Sequence, residues 1–430
     1  MSIQKITMWQ ATAIGLGNII GAGIFVLAGT VIFQSGPGAI LAFILTAILA
    51  ATVALNSAEL SSNIITHGGL YSFVKVTMGD SLGFIVGWLR AISYSIAGSA
   101  VALGFASYLL SIFQISSNNM ILLISIIMIL AITIIDYVGL KLVAKIEQFL
   151  VFITVGGLVI FIIISILYGS WTTVRFTPLL PRGPMSIVES ASLAFFAYSG
   201  FNTIATLTPE VKDGTKNVPK AIIIALLIST TLYILVVVGI LALMPWQKYS
   251  ITADPLANAL NYVNASPIIE MIISIVAILA TITVTISLIV AGSRTLLQMS
   301  EDGMFPKFIG GLSGDSPKRA VLIIGTITIF SLFLGNLKYI ALASNFGVIF
   351  SYSLTGLAVI IIRKRKVKGP FQSPLYPSIQ ILSLILSAVV MFALGTQALY
   401  IGMILIIIGI IIYALHKEKL MNISTQQKDK

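Results

Sequence analysis

The sequence has no cysteine, two histidines and little charge, with 9% of its 430 residues being Asp, Glu, Lys or Arg. The lack of cysteine excludes disulfides, thiolate metal sites and thiol nucleophiles. His67 and His416 both fall outside the apolar segments, which excludes imidazole chemistry within them. Soluble domains carry about a quarter charged residues. A chain that is 58% hydrophobic cannot hide that much apolar surface in a water-soluble core, so the sequence reads as an all-α polytopic membrane protein. Large polar insertions are missing too: the longest connections, 62–81, 245–265 and 294–318, are about 20 residues each. Function must therefore reside among the helices or in short loops.

Apolar segments fall at 10–34, 38–61, 82–113, 119–138, 142–168, 186–206, 219–244, 266–293, 319–335, 337–362, 377–395 and 397–415. Each is near the roughly 20 residues that a helix needs to cross a bilayer. The first is too long for a cleaved signal peptide. Twelve spans put both termini on one side. Only Arg175, Arg182, Lys248 and Lys338 of the 25 basic residues then lie opposite, and the run "RKRKVK" at 363–368 lies with the termini. That asymmetry predicts cytoplasmic termini and a multi-pass protein of the cell membrane. It also accounts for the net charge of +11 without a nucleic-acid partner. The chain reads as one membrane domain, 1–430, with a polar tail at 416–430 expected to be disordered. Nothing in it calls for a cofactor.

Two segments differ from the rest. The first contains "AIGLGNIIGAGIF" at 13–25, with Gly15, Gly17, Gly21 and Gly23 around polar Asn18. Each glycine costs a helix about 1 kcal/mol relative to alanine. Gly17 and Gly21 form a GxxxG pair of the kind used for close helix packing. Four glycines on several faces, however, exceed what one packing seam needs. The sixth segment, "SLAFFAYSGFNTIATLTPEVK", places Ser199 and Gly200 between aromatics and ends near Pro209. Irregular backbone at membrane depth is tolerated only against protein or a water-filled cavity. Two interrupted spans, five helices apart, point to equivalent positions in two structural repeats.

"GLGNIIGAGIF" resembles the opening helix of the amino acid–polyamine–organocation superfamily of transporters. Similar stretches follow in order: "AELSSNIITHGGLYSFVKVTMGDSLGFIVGW" at 58–88, "GLKLVAKIE" at 139–147, "FFAYSGFNTIATLTPEVKDGTKNVPKAI" at 195–222 and "AGSRTLLQMSEDGMFPKF" at 291–308. Together they span about 300 residues. The sixth segment is most similar to prokaryotic relatives of cationic amino acid transporters. The resemblance implies a LeuT-like core of five plus five inverted-repeat helices, 10–168 and 186–362, with two further helices at 377–415. It also implies alternating-access transport of amino acids or related amines. By that resemblance, Ile20, Gly21, Ala22, Gly23 and Ile24 hold the substrate carboxylate, as the N-terminal end of a half-helix suits an anion. Phe196, Ala197, Tyr198, Ser199 and Gly200 would offer carbonyls to the ammonium. Phe195, Phe196, Tyr198 and Phe201 are the aromatics available to line or close the pocket.

Charge placement bears on the substrate. Glu59, Arg90, Asp136, Lys141, Lys145, Glu147, Glu210 and Arg294 fall near expected cytoplasmic span ends, and Glu189 and Glu270 near external ends. None is expected at the bilayer centre, where an ionisable group would be costly. A cationic side chain would want an opposite charge close by, so a neutral amino acid is favoured over a cationic amino acid or polyamine. Glu210, beside Lys212 and Lys216, is a candidate inner gate.

Some proton-coupled family members carry a lysine in the fifth helix, where Thr154 stands here. Thr154 with Thr281 and Thr285, which share a helical face, are candidate oxygens for a coupling sodium ion. Such threonines also commonly bond their own backbone. Proton coupling, sodium coupling and amino acid exchange stay open, as does a non-transporting sensor with the same site. An intramembrane enzyme lacks the residues it would need.

Overall fold

The computed structural model describes residues 5–21, 23–66, 68–139, 143–306, 308–311 and 316–428. Ala22, His67 and Lys141, named above, lie outside them, as do the side chains of Lys145 and Glu147.

Helix α1 (Met8–Ile19) begins at a capping box. The Gln10 N–H donates to the Thr7 hydroxyl (3.3 Å), and the Thr7 N–H donates to the Gln10 side-chain oxygen (2.8 Å). The helix stops at the glycines, and the chain resumes as a π-helical turn (Gly23–Leu27) followed by α2 (Ala28–Ser35). A 3-10 turn at Gly36–Gly38, with Gly36 at φ +62°, leads into α3 (Ala39–Asn63). Next come α4 (Gly69–Met78), α5 (Asp80–Ile112), α6 (Asn118–Val138), α7 (Val143–Tyr168) and the short α8 (Thr173–Phe176). The sixth apolar segment forms α9 (Met185–Tyr198) and, after an irregular turn, α10 (Thr203–Thr206). The remainder is α11 (Gly214–Leu243), α12 (Pro255–Tyr262), α13 (Pro267–Glu301), α14 (Lys318–Ser331), α15 (Leu337–Lys364), α16 (Ser378–Phe392) and α17 (Thr396–Lys428).

The described residues of the twelve apolar segments are mainly helical, and no strand occurs among the described residues beyond an isolated Ile6–Val211 bridge. Eight helical stretches there are long and apolar enough to cross a membrane, one of them running through the break from Met8 to Asn63. Helices α9, α14 and α16 are shorter, at 14, 14 and 15 residues. Helices keep their backbone hydrogen bonds within the segment, as hydrocarbon surroundings demand. The result is a multi-pass helical membrane protein.

Burial sorts the helices. In α5 the most apolar window is 72% buried, against 28% in α6 and 17% in α17, so α5 is central and the other two peripheral. Packing follows a paired pattern. Helix α3 packs on α11, and α5 on α13. Helix α1 packs on α11 and α7, as α9 packs on α3 and α15, while α6 lies on α5 as α14 lies on α13. Exchanging each of the first five apolar segments for its counterpart among the next five reproduces these contacts.

Arg90 sits differently from the sequence reading, while Glu59, Arg363 and Arg365, near span ends as expected, are tied to other elements. Arg90 was expected near a span end, but it lies ten residues into α5, about 15 Å along the axis, and is 4% exposed. Glu59 is buried and accepts from Arg363 Nε (2.7 Å) and Nη2 (2.8 Å) and from the Ser373 N–H (2.8 Å) and hydroxyl (2.6 Å). Arg363 opens the basic run, so that residue also ties α3 to α15. Arg365 donates to the Val76 and Thr77 carbonyls at the end of α4. The tail expected to be disordered continues α17 as helix through Lys428. Lys, Glu, Leu, Met and Gln there are good helix formers, and extending an existing helix avoids the nucleation cost.

Candidate functional site

The two interruptions cross backbone to backbone. A methyl group on Gly23 would come within 2.1 Å of the Ala197 Cα, and one on Gly200 within 2.1 Å of the Asn18 carbonyl oxygen. Only glycine permits such an approach. The other first-segment glycines meet different elements: Gly15 faces Ile204 of α10, Gly17 faces Val151 of α7, and Gly21 faces Val284 of α13. The four glycines thus admit four neighbours, where a packing seam would admit one.

Breaking a helix leaves donors and acceptors without their usual partners. On the donor side, the N–H groups of Gly23, Ile24 and Phe25 open the π-helical turn, ahead of any intrahelical acceptor. On the acceptor side, tyrosines from neighbouring helices step in. The Tyr233 hydroxyl of α11 donates to the Ile19 carbonyl (2.5 Å) and lies 3.0 Å from that of Ala197. Tyr352 of α15 donates to the Ser199 carbonyl (2.7 Å), and Tyr108 of α5 to that of Phe25 (2.7 Å). The Phe196 carbonyl accepts from the Ser199 hydroxyl (3.0 Å), and the Gly200 carbonyl from the Thr203 hydroxyl (2.8 Å). The Asn18 amide in turn donates to the Thr203 hydroxyl (3.0 Å). The Phe196 and Gly200 carbonyls also accept from the Ser199 (3.4 Å) and Thr203 (3.2 Å) N–H groups, which leaves the Ala197 and Ser199 carbonyls, each beside one tyrosine hydroxyl, with a second lone pair to offer. Tyr108, Tyr233 and Tyr352 were not among the expected site residues, and no local pattern in the sequence marks them.

A cavity of about 40 Å³ lies at the crossing, lined by Asn18, Gly23, Tyr94, Phe196, Ser199 and Gly200. It has room for about one water. A second cavity, about 690 Å³, shares Asn18, Tyr94, Thr203, Ser287 and Ala291 with it. The larger one also reaches Arg90, Asp136, Asn202, Glu210 and Arg294.

The expected site residues divide. Gly23, Phe196, Ser199 and Gly200 line the small cavity. Ile20 and Ile24 are buried in the first break with Gly21, and Ala197 packs on Gly23. The remaining aromatics pack in the core: Phe195 lies edge-on to Tyr352 (5.6 Å between ring centres) and Tyr198 to Tyr233 (5.1 Å), while Phe201 sits 5.4 Å from Tyr352.

Thr154, Thr281 and Thr285 each donate to a carbonyl one turn back in their own helix, those of Leu150, Ala277 and Thr281. Glu210 lines the larger cavity, and its carbonyl accepts from the Ile6 N–H (3.0 Å), which lays the N-terminal segment across this wall. Among the described residues, no group of three His, Cys, Asp or Glu is arranged to hold a metal.

Comparison with known proteins agrees with this architecture. The family model described as amino acid permease matches residues 6–413. The chain is 32% identical to the methylthioribose transporter of Bacillus subtilis, over 97% of this chain and 94% of that one. It is 28% identical to the branched-chain amino acid permease BcaP of the same species, over 97% and 93%. Cationic amino acid transporter 4, vacuolar, of Arabidopsis thaliana is 27% identical over 84% of this chain and 63% of its own length. These relatives are transporters and not enzymes. With a helical membrane fold and a family match over nearly its whole length, the chain belongs to the amino acid permease family, within the amino acid–polyamine–organocation superfamily.

Proposed function

We propose that this permease is a secondary active transporter that moves a neutral amino acid by alternating access, binding it between the breaks at 20–24 and 196–200. The observation that carries the reading is the backbone crossing of Gly23 on Ala197 and Gly200 on Asn18, next to a larger cavity that Glu210 helps to line. The N–H groups that open the second half-helix after the first break suit a carboxylate. The Ala197 and Ser199 carbonyls at the second break, each with a lone pair to offer, suit an ammonium. The 40 Å³ cavity is too small for an amino acid, so binding requires the helices around it to move apart. Alternating access supplies such a movement.

The exchangeable packing of α3 with α11 and α5 with α13 supports two five-helix repeats, 10–168 and 186–362, followed by helices at 377–415. Twelve spans and the basic-residue asymmetry favour cytoplasmic termini in the cell membrane. The larger cavity then opens to the cytoplasm, with Glu210 at its inner gate. A neutral preference is supported by the small cavity, whose lining residues include no carboxylate, and by Arg90 and Arg294, which stand with Asp136 and Glu210 in the wall of the larger one. The methylthioribose transporter and BcaP are named for substrates of neutral side chain or no charge, in keeping with this preference. Uptake into proteoliposomes of labelled amino acids, under imposed proton and sodium gradients in turn, tests the reading and identifies the coupling ion. Accumulation or exchange of a neutral amino acid is expected, and a preference for lysine or arginine over every neutral amino acid would overturn it.

A further inference from the structure

Arg90 enters the transport reading only as a positive charge, and its hydrogen-bonding edge is left unassigned. Its side chain is buried, and it stacks on Tyr94, with the guanidinium carbon 4.4 Å from the ring centre, and lies 5.6 Å from the centre of Tyr352. Nη2 donates to the Tyr94 hydroxyl. Nη1 is buried with no hydrogen-bond partner. The groups that act electrostatically on it are Tyr94 and Tyr352, and no carboxylate is among them within the described residues. A buried guanidinium without a counter-charge is costly and calls for an anion.

Asn202 lies beside the same tyrosine, Tyr352. It is 4% exposed, and both its amide nitrogen and its amide oxygen lack a partner. Both residues line the 690 Å³ cavity, and Tyr94 belongs to both cavities, placing the pair next to the helix breaks on the Glu210 side. A planar guanidinium edge with a primary amide nearby matches a carboxylate, which takes parallel N–H donors.

We propose that Arg90 and Asn202 form a second carboxylate subsite, at the inner end of the transport path and separate from the N–H groups of the first break. The inference rests on the transport reading for its meaning: a carboxylate passes from the break to Arg90 as the substrate moves toward the larger cavity. That carboxylate is either the α-carboxylate of a neutral amino acid in transit or the side-chain carboxylate of an acidic one held at the breaks. The guanidinium repels cationic side chains in either case.

The test uses the purified full chain and reads ligand-induced shifts in unfolding temperature. The probes are isovalerate (a carboxylate without an ammonium), isoamylamine (an ammonium without a carboxylate) and chloride. Isovalerate should stabilise the wild type, and any stabilisation by isoamylamine, which engages the second break alone, should be the same in the variants. Arg90→Gln and Asn202→Ala should each weaken isovalerate binding by about tenfold or more. The Asn202 amide lies against Tyr352 and bonds no backbone group, so Asn202→Ala removes only that side-chain contact and keeps the test available where Arg90→Gln does not fold. Equal isovalerate binding in Asn202→Ala and wild type overturns the proposal, as does stabilisation by chloride with none by isovalerate. Leucine and glutamate titrations distinguish the two sources: equal loss for both in the variants assigns the α-carboxylate, and loss for glutamate alone assigns the side chain. Uptake is measured separately, so a failure of transport and a failure of the subsite give different results.

Discussion

The Tyr233 hydroxyl bridges the two helix breaks, donating to the Ile19 carbonyl at 2.5 Å and lying 3.0 Å from the Ala197 carbonyl. One side chain from α11 thereby serves an acceptor left over at each interruption, and its ring packs edge-on against Tyr198 (5.1 Å, 85°) and Phe43 (6.1 Å, 72°). Tyr233→Phe keeps the ring and removes the bridge. Leaving buried carbonyls unserved costs about 1–3 kcal/mol. The expected outcome is a folded protein with a lower unfolding temperature and weaker amino acid binding, read by thermal unfolding and by competition for labelled substrate. Unchanged stability and affinity would show that the hydroxyl does not hold the breaks.

Gly23 and Gly200 are expected to tolerate no side chain. Gly23→Ala and Gly200→Ala each force a methyl against backbone at 2.1 Å, at an overpacking cost of about 1–3 kcal/mol. Gly15→Ala is the contrasting case, because the methyl meets the flexible end of Ile204, which can rotate away. Transport should be lost in the first two variants and largely kept in the third. Full transport by Gly23→Ala would remove the first break from the site.

The Glu59–Arg363 pair is expected to hold the α3–α15 end of the fold together. Both carboxylate oxygens are engaged, and Ser373 adds two further donors. Glu59→Gln or Arg363→Ala leaves the opposite charge buried or half-buried, a loss of about 3–5 kcal/mol for a buried pair. The double variant should cost clearly less than the sum of the two, as expected for groups in one network. Additive losses in thermal unfolding would show that the two charges act independently.

Asp302, just past the end of α13, gives a pH prediction. Burial raises its pKa, but hydrogen bonds from Lys75 (2.7 Å), Tyr71 (2.8 Å) and Gln298 (3.0 Å) outweigh that and hold it below the ordinary aspartate value. A depressed folded-state pKa contributes stability that is complete above the unfolded value, about 3.9, and is lost as pH falls through the folded value. Asp302→Asn should therefore lower stability at pH 7 and narrow its gap to wild type as the pH is taken below 4. A gap that stays constant with pH would place the effect in packing instead.

The breaks were legible because glycine and serine inside an apolar run contradict helix propensity at particular residues, Gly21, Gly23, Ser199 and Gly200. The resemblance then supplied the order of the helices around them. What the sequence could not disclose were long-range partners. Tyr233 and Tyr352 look like any aromatic in an apolar helix, and their role depends on which carbonyls other helices leave exposed. Arg90 looked interfacial because it stands near the start of an apolar segment, yet α5 runs 33 residues and its central packing carries that position into the interior. Arg363 looked like one of a cluster of loop charges because its partner, Glu59, lies 304 residues away.

The central claim is that the paired breaks bind a zwitterion, and competition for uptake tests it most directly. Proteoliposomes are loaded with unlabelled neutral amino acid, and uptake of the same labelled amino acid is challenged with leucine, with isoamylamine and with isovalerate. The account predicts strong competition by leucine and much weaker competition by either half-molecule, since each engages only one of the two breaks. Competition by isoamylamine as strong as that by leucine would contradict it, because the N–H groups after the first break would then contribute nothing to recognition.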